Sequence, residues 1–230
     1  CSLNDSQGQT MKNLFSGKIP ILVIVILHLV GIAGMISPYK EFFNNLSPVH
    51  LGICFIFLAG SIKKKDAAFV ATLLSCYVLG FAAEWIGVHT GYLFGNYSYG
   101  NILGPKLDGI PLLIGINWYL LAICSHWLVS KLKQNLALSV VLAAAAMTGI
   151  DFLIEPVAMD LGFWSWHGGG IPWTNYLGWF LVALPMQWIC FSWYKENNLL
   201  AGWLLLMQLL FFGILHYNIV CTGCLQFQLF

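Results

Sequence analysis

The sequence predicts an all-α membrane protein: a polytopic transmembrane bundle of about seven helices with a cytoplasmic N-terminus. Three observations lead there. Of the 230 residues, 59% are hydrophobic and only 8% charged, whereas a soluble domain carries about 25% charged residues because its surface faces water. Seven segments are apolar over lengths near the ~20 residues needed to cross a bilayer. The lysines between those segments fall mostly on one side of a seven-span thread.

In chain order the segments are residues 19–37, 46–62, 67–88, 110–130, 136–158, 173–193 and 199–217. Lys12 and Lys18 precede the first segment. Lys63, Lys64 and Lys65 follow the second, Lys131 and Lys133 the fourth, and Lys195 the sixth. These eight share one side, and only Lys40 and Lys106 fall on the other. Cytoplasmic loops collect lysine, which puts the N-terminus inside and the C-terminus outside. Residues 1–10 are polar and precede Met11, so they are read as a non-native or disordered extension. Residues 11–230 are read as one transmembrane domain, since no linker or charge run divides them.

A net charge of +1 and the absence of arginine leave no basic face for nucleic acid. Cys54, Cys76, Cys124 and Cys190 lie in apolar runs, where cysteine acts as a small hydrophobe. Cys221 and Cys224 form a C-x-x-C without the strand-to-helix setting of a redox motif. His28, His126 and His216 each stand alone in apolar stretches and read as packing residues, while His89 and His167 lie in outer loops. No H-x-x-H or H-E-x-x-H pairing suggests a metal, and no glycine-rich fingerprint suggests a nucleotide. A retinal-binding protein would need a lysine in its last helix, and residues 199–217 have none.

The two long outer loops are unusual. Residues 89–109 read HTGYLFGNYSYGNILGPKLDG and residues 160–172 read DLGFWSWHGGGIP, both rich in glycine and aromatics. Interfacial anchoring accounts for some of these rings. Their density also fits a wall around a long apolar ligand.

Three carboxyl groups stand within the apolar segments: Glu84, Asp151 and Glu155. An ionisable group at membrane depth is costly and is a functional candidate by default. Asp151 and Glu155, four apart, share one helix face, and Pro156 follows directly. By the lysine pattern all three lie in the outer halves of their helices, beneath the aromatic loops. As purely structural groups they would bond across helices to Asn117, Asn175 or Gln187. With no lysine at that depth, such a group tends to be protonated, which suits a general acid.

The stretch from Glu84 to Trp118, EWIGVHTGYLFGNYSYGNILGPKLDGIPLLIGINW, resembles the first signature of the membrane-integral carotenoid biosynthesis family. That family includes the carotenoid 1,2-hydratases and the bisanhydrobacterioruberin hydratases. The stretch from Asp151 to Phe180, DFLIEPVAMDLGFWSWHGGGIPWTNYLGWF, is similar to its second signature, and together the resemblance covers roughly residues 67–193. In the family an acidic residue precedes the proline matched by Pro156, aspartate in many members and glutamate here. His89 matches no fixed family histidine and is left out of the catalytic set.

The resemblance implies hydration of the terminal C1–C2 double bond on an acyclic carotenoid ψ-end, a hydro-lyase reaction. A proton goes to C2, a tertiary cation forms at C1, and water captures it. The expected catalytic set is Asp151, Glu155 and Glu84: one of the first two as acid, the other holding or deprotonating water, and Glu84 orienting them. Tyr97, Trp164, Trp166 and Trp179 are expected to wall the substrate, with Asn175 as partner to water or carboxyl. The implied partners are the carotenoid, water and membrane lipid, with other enzymes of carotenoid biosynthesis as neighbours. No cofactor and no metal are expected. The expected location is the cell membrane, a bacterial inner membrane in particular. The alternatives are a proton-initiated end-group cyclase, which would exclude water, and a non-enzymatic isoprenoid carrier or transporter.

Overall fold

A computed structural model describes residue 15 and residues 17 to 227, with side chains through Cys221. The extension expected over residues 1–10 lies outside the described residues. Among the described residues the chain forms eight helices and four very short strands. The helices are α1 (Ile19–Ile36), α2 (Lys40–Asn45), α3 (Ser47–Ser61), α4 (Ala67–Thr90), α5 (Leu113–Ser130), α6 (Leu136–Asp160), α7 (Trp173–Trp193) and α8 (Leu199–Phe227). The strands are β1 (Tyr97–Tyr99), β2 (Lys106–Leu107), β3 (Ile110–Pro111) and β4 (Trp164–Trp166).

The helices start and stop where local chemistry dictates. Asp66 accepts the Phe69 N–H at 3.1 Å and caps α4, and Asn135 accepts the Leu138 N–H at 2.9 Å and caps α6. α4 ends at Gly91, whose φ of +69° is the left-handed turn that glycine takes without strain. Among the described residues, six helices are long and apolar enough to cross a membrane. The seventh apolar segment, expected over residues 46–62, is the 15-residue helix α3. At 1.5 Å per residue it is about 22 Å long, short of a ~30 Å hydrocarbon core. The short helix α2 turns the chain from α1 into it. The segment expected from residue 110 becomes helical only at Leu113, because Ile110 and Pro111 pair with Lys106 and Leu107 as a β2–β3 hairpin.

Large apolar side chains such as Leu22, Leu29, Val30, Leu74 and Leu181 point outward, while α5 is buried continuously from Trp118 to Cys124. Helices that are apolar on every side belong in lipid or in a core, and here both solvents are apolar. The chain is a multi-pass membrane protein. α5 stands at its centre, and glycines let neighbours approach it closely: a Cβ at Gly80 of α4 would run into the Trp118 ring.

The bundle has two chemically distinct ends. At one, the Lys63 and Lys64 backbone N–H groups donate to Glu196 at 3.1 and 2.7 Å, Asn198 Nδ2 donates to Ser61 Oγ at 2.7 Å, and Lys131 reaches Asn197. At the other, Lys40 pairs with Asp160 at 2.6 Å and Asn44 Nδ2 donates to the Leu161 carbonyl at 2.7 Å. The two aromatic loops lie at this second end and join into one antiparallel ribbon, β1 with β4, in the register Tyr97 with Trp166, Ser98 with Ser165 and Tyr99 with Trp164. The ribbon is held close to the bundle. Gly178 of α7 lies against the Leu93 backbone and Phe94, so that a Cβ there would stand 2.7 Å from the Phe94 ring.

Candidate active site

The Y-S-Y and W-S-W strands alternate with a period of two, so each sends its two aromatics to one face and its serine to the other. The buried face therefore carries Tyr97, Tyr99, Trp164 and Trp166 together, with the Tyr97 and Trp166 rings 5.0 Å apart. Each ring ends in a hydrogen-bond donor, and all four donors point at carboxylates below.

Glu155 is held by Trp164 Nε1 at 3.0 Å and Trp166 Nε1 at 2.9 Å, both on Oε2, and by Asn175 Nδ2 at 2.9 Å on Oε1. The same Asn175 amide donates to Asp151 Oδ2 at 3.0 Å. One α7 amide thus ties together the two acids of α6. Glu84 accepts from the Tyr97 hydroxyl, from the Tyr99 hydroxyl at 2.7 Å and from Trp118 Nε1 at 2.9 Å. Burial first, and the Glu84 carboxyl beside them second, push both phenols up, so that Tyr97 and Tyr99 keep their protons. The Trp118 indole stacks on Trp179, ring centres 3.8 Å apart.

All three acids are buried, at 4%, 0% and 2% exposure for Glu84, Asp151 and Glu155. Their hydrogen-bond partners carry no formal charge, and Asp151 Oδ1 has no partner among the described residues. Three ionised carboxylates this close, without a cation, would repel strongly in a low dielectric.

Glu84 and Glu155 both line a small cavity with Tyr97, Tyr99, Asn117, Trp164, Trp166, Asn175 and Trp179. About 20 Å³ of it is open to a water-sized molecule, room for roughly one water. Asp151 is not on its wall. A larger and mostly apolar cavity of about 100 Å³ adjoins it, and Ile114, Asn117, Ile154 and Trp164 line both. An apolar chain end in the larger space would thus lie next to a one-water polar space floored by carboxyl groups.

The family model described as "Carotenoid biosynthesis protein" matches residues 44–224. The chain belongs to that family. It is also 30% identical over 132 residues to a bisanhydrobacterioruberin hydratase of Haloarcula japonica, a match covering 54% of this chain and 45% of that relative. The chain therefore matches less than half of the relative's length. No solved structure matches.

The eight residues expected to form the site, Glu84, Asp151, Glu155, Tyr97, Trp164, Trp166, Asn175 and Trp179, lie in this one cluster. Trp118 and Tyr99 belong with them and were passed over as site residues, Trp118 because a lone tryptophan in an apolar helix carries no polar signal. Asn117 lines the cavity rather than bonding a carboxylate. Gln187 donates to the Ala122 carbonyl at 3.0 Å and is a helix-packing group. His89 pairs with exposed Asp108 at 3.2 Å, and His167 sits on the outer face of the ribbon against Ser98 at 3.3 Å, so both lie outside the cluster.

Proposed function

We propose that this carotenoid-family enzyme adds water across the terminal C1–C2 double bond of an acyclic carotenoid ψ-end, giving a tertiary alcohol. The supporting observation is that Glu84 and Glu155 both line a one-water cavity that shares its wall with an adjoining apolar space. Hydration needs those parts: a proton for C2, a shielded cation at C1, one water, and a base to take the water's proton.

The hydrogen bonds suggest how the work is divided. The partners of Glu155 are N–H groups, which can only donate, so its oxygens are held as acceptors. Two of the partners of Glu84 are hydroxyls, which can accept as well as donate, so Glu84 can hold a proton within the network. Glu84 gives its proton to C2. Water attacks C1 and passes a proton to Glu155, and the water that refills the cavity lined by both acids returns it to Glu84. Trp179, Trp164 and Trp166 present aromatic faces to the transient cation, worth up to about 2 kcal/mol for each desolvated ring. Asp151 acts through Asn175, fixing the position of Glu155.

Expression in a host that accumulates lycopene, with mass analysis of the extracted pigments, tests the reaction. The expected products are heavier by one water for each end hydrated. Pigments of unchanged mass with a ring at one end would assign a cyclase instead, and unchanged pigments would remove the enzymatic reading.

The membrane is the cell membrane, in our reading, with the Lys63, Lys131 and Lys195 end in the cytoplasm and the carboxyl cluster toward the outer face. Reporter fusions at Lys64, Lys133 and Lys195 should all report cytoplasm. An outside signal at any of the three reverses the orientation.

A further inference from the structure

A second set of chemically distinctive side chains lies outside the carboxyl cluster. His28 of α1, and His50 and Cys54 of α3, bring their ligand atoms within 4.8 Å of one another. The two imidazoles meet edge to face with centres 4.4 Å apart, and Phe211 of α8 packs on both at 6.2 and 6.3 Å. His28 Nδ1 sits 2.8 Å from the Ile24 carbonyl, which orients that ring. This is the arrangement that fixes the orientation of metal-binding histidines in general.

A second observation points the same way. Gln208 lies one helical turn before Phe211 on α8 and lines the cavity that His28, His50 and Cys54 also line. It is 6% exposed, and its Oε1 has no hydrogen-bond partner among the described residues. A buried amide oxygen without a donor is costly and calls for an explanation. A cation in this cavity would supply one.

We propose that His28, His50 and Cys54 bind one thiophilic transition-metal ion of the zinc or cuprous class, with the Gln208 carbonyl turned toward it. Two imidazoles and a thiolate select such ions over magnesium or calcium, which prefer all-oxygen sites. Bonds of about 2.0–2.3 Å put tetrahedral ligands roughly 3.3–3.8 Å apart. The ligand atoms all lie within 4.8 Å and His50 Nε2 already stands 3.3 Å from His28 Nδ1, so no pair has to close by more than about 1.5 Å. The ion would tie α1 and α3 to one another and to α8, three helices that contribute no group to the carboxyl cluster. These residues line the same apolar cavity that the hydration reading gives to the substrate's chain end, so the ion would stand in its wall, on the side away from the acids; metal binding is read without reference to turnover.

The test uses the full chain, purified in detergent through an affinity tag that contains no histidine. The protein is stripped with a chelator and titrated with cobalt(II), whose thiolate complexes show a charge-transfer absorption. The wild-type protein should bind about one cobalt per chain and show that band. Cys54→Ser should lose the band, and His50→Ala should bind at least about ten-fold more weakly. Mass spectrometry of the metals carried by the unstripped protein distinguishes zinc from copper. Wild-type protein without the band overturns the proposal with no recourse to a variant. A band that survives Cys54→Ser also overturns it, by moving the metal to other cysteines.

Discussion

Glu155→Gln should insert normally and form almost no alcohol. The substitution preserves volume and polarity, yet its amide cannot take a proton from water, and its NH₂ group would face a donor in either orientation, the two indoles or the Asn175 amide. General acid or base groups contribute roughly 10²–10⁴-fold, which sets the expected drop in product per inserted molecule. Glu84→Gln should fall in the same range, because Glu84 lines the same cavity. Asp151→Asn should lose less, about ten-fold, because Asp151 reaches the reaction only through the shared Asn175 amide. It should also move the pH profile of the remaining activity, which a purely structural residue would not do. Comparing product per unit of inserted protein for all three variants decides the matter. Full specific activity in Glu155→Gln would sink the role given to Glu155, whatever the other two show.

The second large effect is expected from Trp164→Phe combined with Trp166→Phe. Each change removes an indole N–H from Glu155 and keeps an aromatic face in place. Hydrogen bonds to a charged group are worth about 1.5–3 kcal/mol each, so the double variant should lose at least about 10²-fold in turnover. Most of that loss should lie in kcat, since the apolar contact with substrate persists. A loss confined to KM would mean that the two rings act as substrate wall alone and that Glu155 does not depend on their donors.

The seven apolar helices were legible because spanning length and hydropathy are one-dimensional signals. The lysine grouping recovered which loops share an end, as the Lys63, Lys64 and Lys131 contacts near Glu196 and Asn197 illustrate. The three carboxyl groups stood out for a thermodynamic reason, since nothing else acidic lies at that depth. Less legible was the ribbon. The alternation in Tyr97–Tyr99 and in Trp164–Trp166 is visible in the sequence, but three residues make a weak strand signal. Their pairing joins Ser98 to Ser165, 67 residues apart in the chain. Trp118 was hidden because a helix buried on nearly every side has no polar stripe to mark its working face. The meeting of His28 with His50 and Cys54 depends on how α1 packs against α3. Only the four-residue spacing of His50 and Cys54 hinted at a shared face.

The placement of the ribbon's donors bears on how this protein enters its membrane. Glu84 takes two of its partners from 13 and 15 residues further along the chain, and Glu155 takes two of its own from 9 and 11 residues further along. Each acid is thus followed, within one hairpin, by aromatic donors that can reach back to it. An acidic residue at a helix centre raises the cost of insertion by about 2.5–3.5 kcal/mol, and less toward the helix end. Here Glu84 and Glu155 can each be satisfied as soon as their own loops have emerged, before the rest of the bundle exists, while Asp151 waits for Asn175 of α7. The two halves of the site can therefore cross into lipid separately and meet afterwards, joining strand to strand above acids that are already covered.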